Sequence, residues 1–129
     1  MRLETDRLVD ILRDTILGTV RRDGPDLSAR QLCLLLITSL EEGPHTVRGL
    51  AMRMDISKPA ITRSLDRLHD LGLASRISDP RDRRSVLVVP TDDSIAYVED
   101  LKSLMIAAAR PARRRVMRRS DHLHVIAAE

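Results

Sequence analysis

The chain has no Phe and no Trp, and Tyr97 is its single aromatic residue. Platforms that stack nucleic-acid bases on aromatic rings are thereby excluded, and any ligand pocket is expected to be aliphatic and polar. The lone cysteine, Cys33, rules out an internal disulfide framework and a multi-cysteine metal site. The longest apolar runs, Leu32–Ile37 and Leu104–Ala109, are six residues each, against the roughly 20 needed to cross a bilayer. Arg2, Glu4, Asp6, Arg7 and Asp10 make the N-terminus unlike a signal peptide. Enzyme signatures are missing as well: no Gly-rich phosphate loop, no His-Glu-x-x-His and no nucleophile elbow. Asp92-Asp93 and Glu41-Glu42 are adjacent pairs, which point to different sides of a helix rather than forming a dyad. The expectation is a soluble, cytoplasmic, non-enzymatic protein without cofactor or membrane partner. Its 129 residues suggest a single domain.

What is abundant is arginine, which supplies 20 of the 22 basic residues. Arg suits bidentate contacts to phosphate and guanine, although a GC-rich genome produces the same bias. The net charge of +3 is unevenly placed: −2 over 1–45, +1 over 46–56, +3 over 57–84, −4 over 85–100 and +5 over 101–129. That asymmetry points to a polyanionic partner more strongly than the net charge does.

Leu8, Leu12, Ile16 and Val20 recur every four residues and predict a helix, capped by Thr5 or Asp6 and ended by Gly24-Pro25. Ser28 caps a Leu-rich helix over Ala29–Glu42, which Gly43-Pro44 stops. Thr46 caps a short helix from Val47 to Met54, and Asp55-Ile56 makes a tight connection. Ser57 caps another helix, with Pro59 in its first turn and Gly72 beyond its end near Leu71. The period then changes. Leu73–Ser78 and Ser85–Pro90 read as strands joined by the charged loop Asp79–Arg84. Thr91 caps a last long helix with the stripe Ile95, Val98, Leu101, Met105 and Ala108, which Pro111 kinks or ends. The fold class is therefore mainly α with a small β-hairpin, in the order of a winged helix-turn-helix.

The helix that opens at Ser57 sets Ile61, Leu65 and Leu68 on one face, to pack on Leu50, Met54 and the Leu32–Ile37 helix. Its other face carries Lys58, Pro59, Thr62, Arg63, Asp66 and Arg67. An α-helix fits the major groove, with its N-terminal residues against base edges. Ser57 and Thr62 can donate to phosphate or base, Pro59 and Ala60 allow close approach to a thymine methyl, and Arg63 can reach guanine or phosphate. Arg81 and Arg83, at the hairpin tip, suit the narrow minor groove. Asp79 and Asp82 are expected to pair with Arg84 or a neighbouring Arg and stiffen the turn. The plainer readings are a solvated helix face for the first set and a solvated charged turn for the second.

From Leu27-Ser28-Ala29-Arg30-Gln31-Leu32 to Thr91 the chain resembles the MarR family of bacterial transcription regulators. The resemblance is carried by Leu50-Ala51, Ile56–Arg63, Leu68, Leu71-Gly72-Leu73, Arg76 and the wing Asp79–Arg84. It implies a homodimeric repressor on a pseudo-palindromic double-stranded DNA operator, released by a small-molecule effector or by oxidation. The DNA-binding residues carried over are Ser57, Lys58, Pro59, Ala60, Thr62, Arg63, Arg67, Arg81, Arg83 and Arg84, with Asp79 and Asp82 structural. It also implies a single domain, 1–129, with a dimerising helix over 1–24, a DNA-binding core over 27–91 and further dimerising helices with a basic tail over 92–129. The chain departs from the family pattern at Val89-Pro90-Thr91-Asp92-Asp93, in its short first helix and in the basic Arg110–Arg119 segment.

Two rival readings stay open: a winged helix that docks an acidic protein partner, and a non-specific architectural DNA binder using the Arg-rich tail. Cys33, inside an apolar run, reads as an inert core thiol more than a redox sensor. His45 and His69 read as capping or solvent-facing residues. His122 and His124 lack the i, i+4 spacing of helical metal ligands.

Overall fold

The structure, a computed structural model, describes residues 2–110. Its elements run α1 (Arg2–Arg21), α2 (Ala29–Leu40), β1 (His45–Thr46), α3 (Val47–Met54), α4 (Lys58–Asp70), β2 (Ser75–Asp79), β3 (Asp82–Val89) and α5 (Asp92–Ala109).

Four of these helices start where a hydroxyl can accept an otherwise orphaned backbone N–H. Ser28 accepts from Gln31 in a reciprocal capping box, Thr46 from Gly49, Ser57 from Ala60, and Thr91 from Ser94. Asp55 ends α3 in the left-handed conformation, with φ of 54°. Gly72, at φ +74°, turns the chain after α4, where a residue lacking Cβ costs least. The core lies where α2, α3, α4, the sheet and the first half of α5 meet: Leu34, Leu35, Leu50, Ile61, Leu65, Leu68, Leu73, Val88 and Val98 are all buried in one cluster.

Several boundaries and faces differ from the sequence reading. Helix α1 begins at Arg2, so Thr5 and Asp6 lie inside it rather than capping it. Helix α2 stops at Leu40, two residues early, and His45 closes its end with a ring nitrogen 2.9 Å from the Glu41 carbonyl. The expected two-stranded hairpin is part of a three-stranded antiparallel sheet, β1-β3-β2. The extra strand, His45–Thr46, pairs with Val88 and Leu87; two residues are too few to show a period. The strands also run further out than expected, so that Asp79 pairs with Asp82. On α5 the buried residues are Ser94, Val98 and Ala108, whereas Ile95 and Met105 of the expected stripe are about half exposed. Residues 111–129, including Pro111, His122, His124 and nearly all of the basic tail, lie outside the described residues.

Helix α1 runs antiparallel to α5. Arg7 donates to the Ala109 carbonyl at 2.7 Å, and Arg22 pairs with Asp100 at 3.0 Å while its guanidinium lies 4.8 Å from the centre of the Tyr97 ring. Between these ends Gly18 lets the helices approach: a Cβ there would meet Leu104 Cδ2 at 2.7 Å. Gly18→Leu is therefore expected to wedge α1 off α5 at a cost of about 1–3 kcal/mol, less the fraction of a kcal/mol regained in helix propensity. Thermal unfolding checks this; an unchanged midpoint would mean that the close approach is not needed. The apolar stripe of α1 points elsewhere: Leu8, Leu12, Ile16 and Val20 are 50–65% exposed.

Candidate nucleic-acid interface

Helix α4 is sorted cleanly by its spacing. Ile61, Ser64, Leu65 and Leu68 are buried, while Ser57, Lys58, Pro59, Thr62, Arg63, Asp66 and Arg67 are exposed. One residue is placed differently from the sequence reading. Ala60 is only 6% exposed; it lies on the inward side of α4, one residue before Ile61, rather than on the exposed face.

Asp66 stands on the outward face, where an unpaired carboxylate would repel phosphate. Arg76 of β2 pairs with it at 2.8 Å. That ion pair cancels the charge and ties the outward face of α4 to the root of the wing. Lys58, Arg63 and Arg67 form no ion pair among the described residues. The sequence reading assigned Arg76 no role, since an Asp–Arg pair ten residues apart across a helix and a strand has no local signature.

The wing is held differently from expectation. Among the described residues, Asp79 and Asp82 pair with no guanidinium. Asp79 Oδ1 accepts the backbone N–H of Arg81 at 2.9 Å, and Asp82 Oδ1 accepts that of Arg84 at 3.1 Å. Asp82 Oδ2 also accepts from the Ser85 hydroxyl at 3.4 Å. These are Asx turns, in which a short carboxylate stands in for a backbone carbonyl. The side chains of Arg81, Arg83 and Arg84 are all exposed and free of ion pairs among the described residues. The tip is thus a rigid backbone turn carrying three unspent cations.

Away from this face, Cys33 is half-buried rather than fully enclosed. It lines an open groove of about 440 Å³ with Ala29, Arg30, Ile37, Arg53 and Met54. Arg53 is occupied by Glu41, whose carboxyl it holds below the usual range chiefly through their hydrogen bond. Both groups are exposed, so the pair adds little stability. Among the described residues no group of three His, Cys, Asp or Glu side chains could hold a metal ion, and no helix is long and apolar enough to cross a membrane.

The helix-turn-helix and wing match known proteins. The sequence profile of the MarR family matches residues 25–85. An HTH-type transcriptional regulator of Mycobacterium bovis is 31% identical over 112 residues, which are 87% of this chain and 72% of that one. This chain belongs to the MarR family. Its regulators bind DNA and are not enzymes. A second relative, the HTH-type transcriptional regulator YcgE of Bacillus subtilis, is 38% identical over 61 residues, 47% of this chain. That match spans 40% of the Bacillus protein's length. Among solved structures, the MepR–DNA complex of S. aureus superposes with a TM-score of 0.66 over 98% of this chain and 94% of that one, at 16% identity. At that identity the likeness speaks for the winged fold alone.

Proposed function

We propose that this MarR-family chain binds a two-fold operator as a homodimer, each protomer laying the N-terminal half of α4 in the major groove and its wing along the minor groove. The observation that carries this reading is the outward face of α4: Ser57, Lys58, Pro59, Thr62, Arg63 and Arg67 stand exposed, and Asp66, a carboxylate amid these cations, is paired with Arg76. A polyanion is the partner such a face fits, and the helix N-terminus adds a favourable dipole for phosphate. Residues 27–91 are the reading head in this proposal. Helices α1 and α5 are the dimerising elements, because the 50–65% exposure of Leu8, Leu12, Ile16 and Val20 along one stripe is unusual unless a second protomer covers it. Dimerisation would set the two α4 helices about 34 Å apart, one turn of DNA.

The test starts from randomised duplexes enriched on the pure protein. The winner is then compared with scrambled DNA by fluorescence anisotropy at two salt concentrations. A palindromic winner bound at least about a thousandfold more tightly supports a dimeric operator binder. Equal, strongly salt-dependent binding to both would favour an architectural binder, and weak binding to both a protein-docking winged helix. Arg63→Ala is expected to weaken cognate binding by about 1–3 kcal/mol and relax preference at one operator position. Unaltered specificity in that variant would remove Arg63 from base reading.

A further inference from the structure

Thr91 performs two tasks with one hydroxyl. It accepts the Ser94 N–H at 3.0 Å, which caps α5, and it donates to the Gly72 carbonyl at 2.6 Å, which lies just past the end of α4. A hydroxyl has one donor and two acceptor positions, so both bonds form together. We infer that Thr91 is the positioning residue that sets the angle between the reading helix α4 and α5, and thereby the spacing of the two reading helices in a dimer. This rests on the dimeric reading above.

The joint is stiff on both sides. The Ser94 hydroxyl accepts the Thr91 N–H at 2.8 Å, and Ser94 is fully buried. On the α4 side, the Leu73 N–H reaches the Leu68 carbonyl at 2.7 Å, and a Cβ on Gly72 would lie 3.3 Å from Asp93 Oδ2. From Thr91 the helix passes Val98, which is part of the head's core, and then reaches α1 through Tyr97, Asp100 and Leu104. The orientation of α4 relative to the exposed stripe of α1 therefore passes along α5. Apolar packing at Val98 tolerates sliding, whereas a hydrogen bond is directional. The 18 residues of α5 make a lever of about 27 Å, so a tilt of about 5° at its cap moves the far end by about 2 Å. That displacement is a large part of the 3.4 Å rise between base pairs along each strand.

The experiment uses the full chain and duplexes holding two inverted copies of the half-site enriched on the wild-type protein. The spacer is changed one base pair at a time, and a duplex with a single half-site is the reference. Thr91→Ser keeps donor and acceptor and is expected to keep the wild-type spacer optimum. Thr91→Asp remains a good cap but cannot donate to Gly72. Thr91→Val removes the donor without adding charge, although it also removes the cap acceptor for Ser94, and serves if the Asp variant does not fold. The Asp variant is expected to reduce the preference for the best spacer about five- to tenfold, as for loss of one hydrogen bond, and the Val variant at least as much, with single half-site binding within about twofold of wild type. An unchanged optimum in folded Asp and Val variants would overturn the inference, as would an equal loss on every duplex including the single half-site. Wild-type protein indifferent to the spacer would overturn the dimeric reading itself, and the inference with it.

Discussion

Leu65→Ala is expected to lower the unfolding free energy by about 2–5 kcal/mol. Leu65 is fully buried at the centre of α4, in the cluster that includes Leu34 and Leu35 of α2, Leu50 of α3 and Val88 of β3. Truncation removes the transfer energy of the missing carbons and leaves a cavity that four elements would have to collapse to fill. A domain of this size is stable by only about 5–15 kcal/mol, so the variant approaches or crosses its folding limit at 37 °C. A urea titration measures the change as a fall in midpoint at constant slope. DNA binding would fall in parallel, because Leu65 and Arg63 share one helix and the inward face holds the outward face in place. A midpoint equal to that of wild type would mean that α4 does not pack on the head as described.

The second large effect is expected from the wing. Arg81→Ala combined with Arg83→Ala should weaken operator binding at least tenfold and reduce the salt slope by roughly 2, since each lost phosphate contact removes about 0.9. The turn itself should survive. The bonds that hold it run from the backbone N–H groups of Arg81 and Arg84 to Asp79 and Asp82, and alanine keeps the backbone donor. The double variant thus separates charge from shape, with an unchanged unfolding midpoint as the control. If the salt slope stayed at the wild-type value, the wing would have no part in DNA binding. Had the aspartates paired with guanidinium groups, as the sequence suggested, the same substitution would have disturbed the turn as well and the two causes could not be told apart.

Much of this architecture was legible in the order of the residues, and for a physical reason. Ser28, Thr46, Ser57 and Thr91 each satisfy a donor three residues away, so caps are local and can be read locally. The inward face of α4 follows from the helical period, which placed Ile61, Leu65 and Leu68 correctly. Gly72 was marked by its need for a positive φ. The Asp-rich, Arg-rich wing hexamer with the upstream helix is distinctive enough on its own to suggest the MarR family.

The remainder depends on neighbours that the linear sequence keeps apart. Strand β1 exists only because β3, some forty residues later, offers its free edge to His45 and Thr46. Asp66, exposed on the outward face of α4, has a partner only because β2 brings Arg76 to it. The period of α4 leaves Ala60 at the margin between its two faces, and packing turned it inward. The stripe on α1 shows the division most clearly. Periodicity identified Leu8, Leu12, Ile16 and Val20 as one apolar face, but could not say what it meets; in the tertiary structure Gly18 and Thr15 face inward and the stripe is left open. Local patterns determine which residues share a face, because helix geometry repeats every 3.6 residues. Which face is covered, which charge is neutralised and which hydroxyl joins two helices were decided only by the tertiary structure, since those contacts close over 10 to 100 residues of chain.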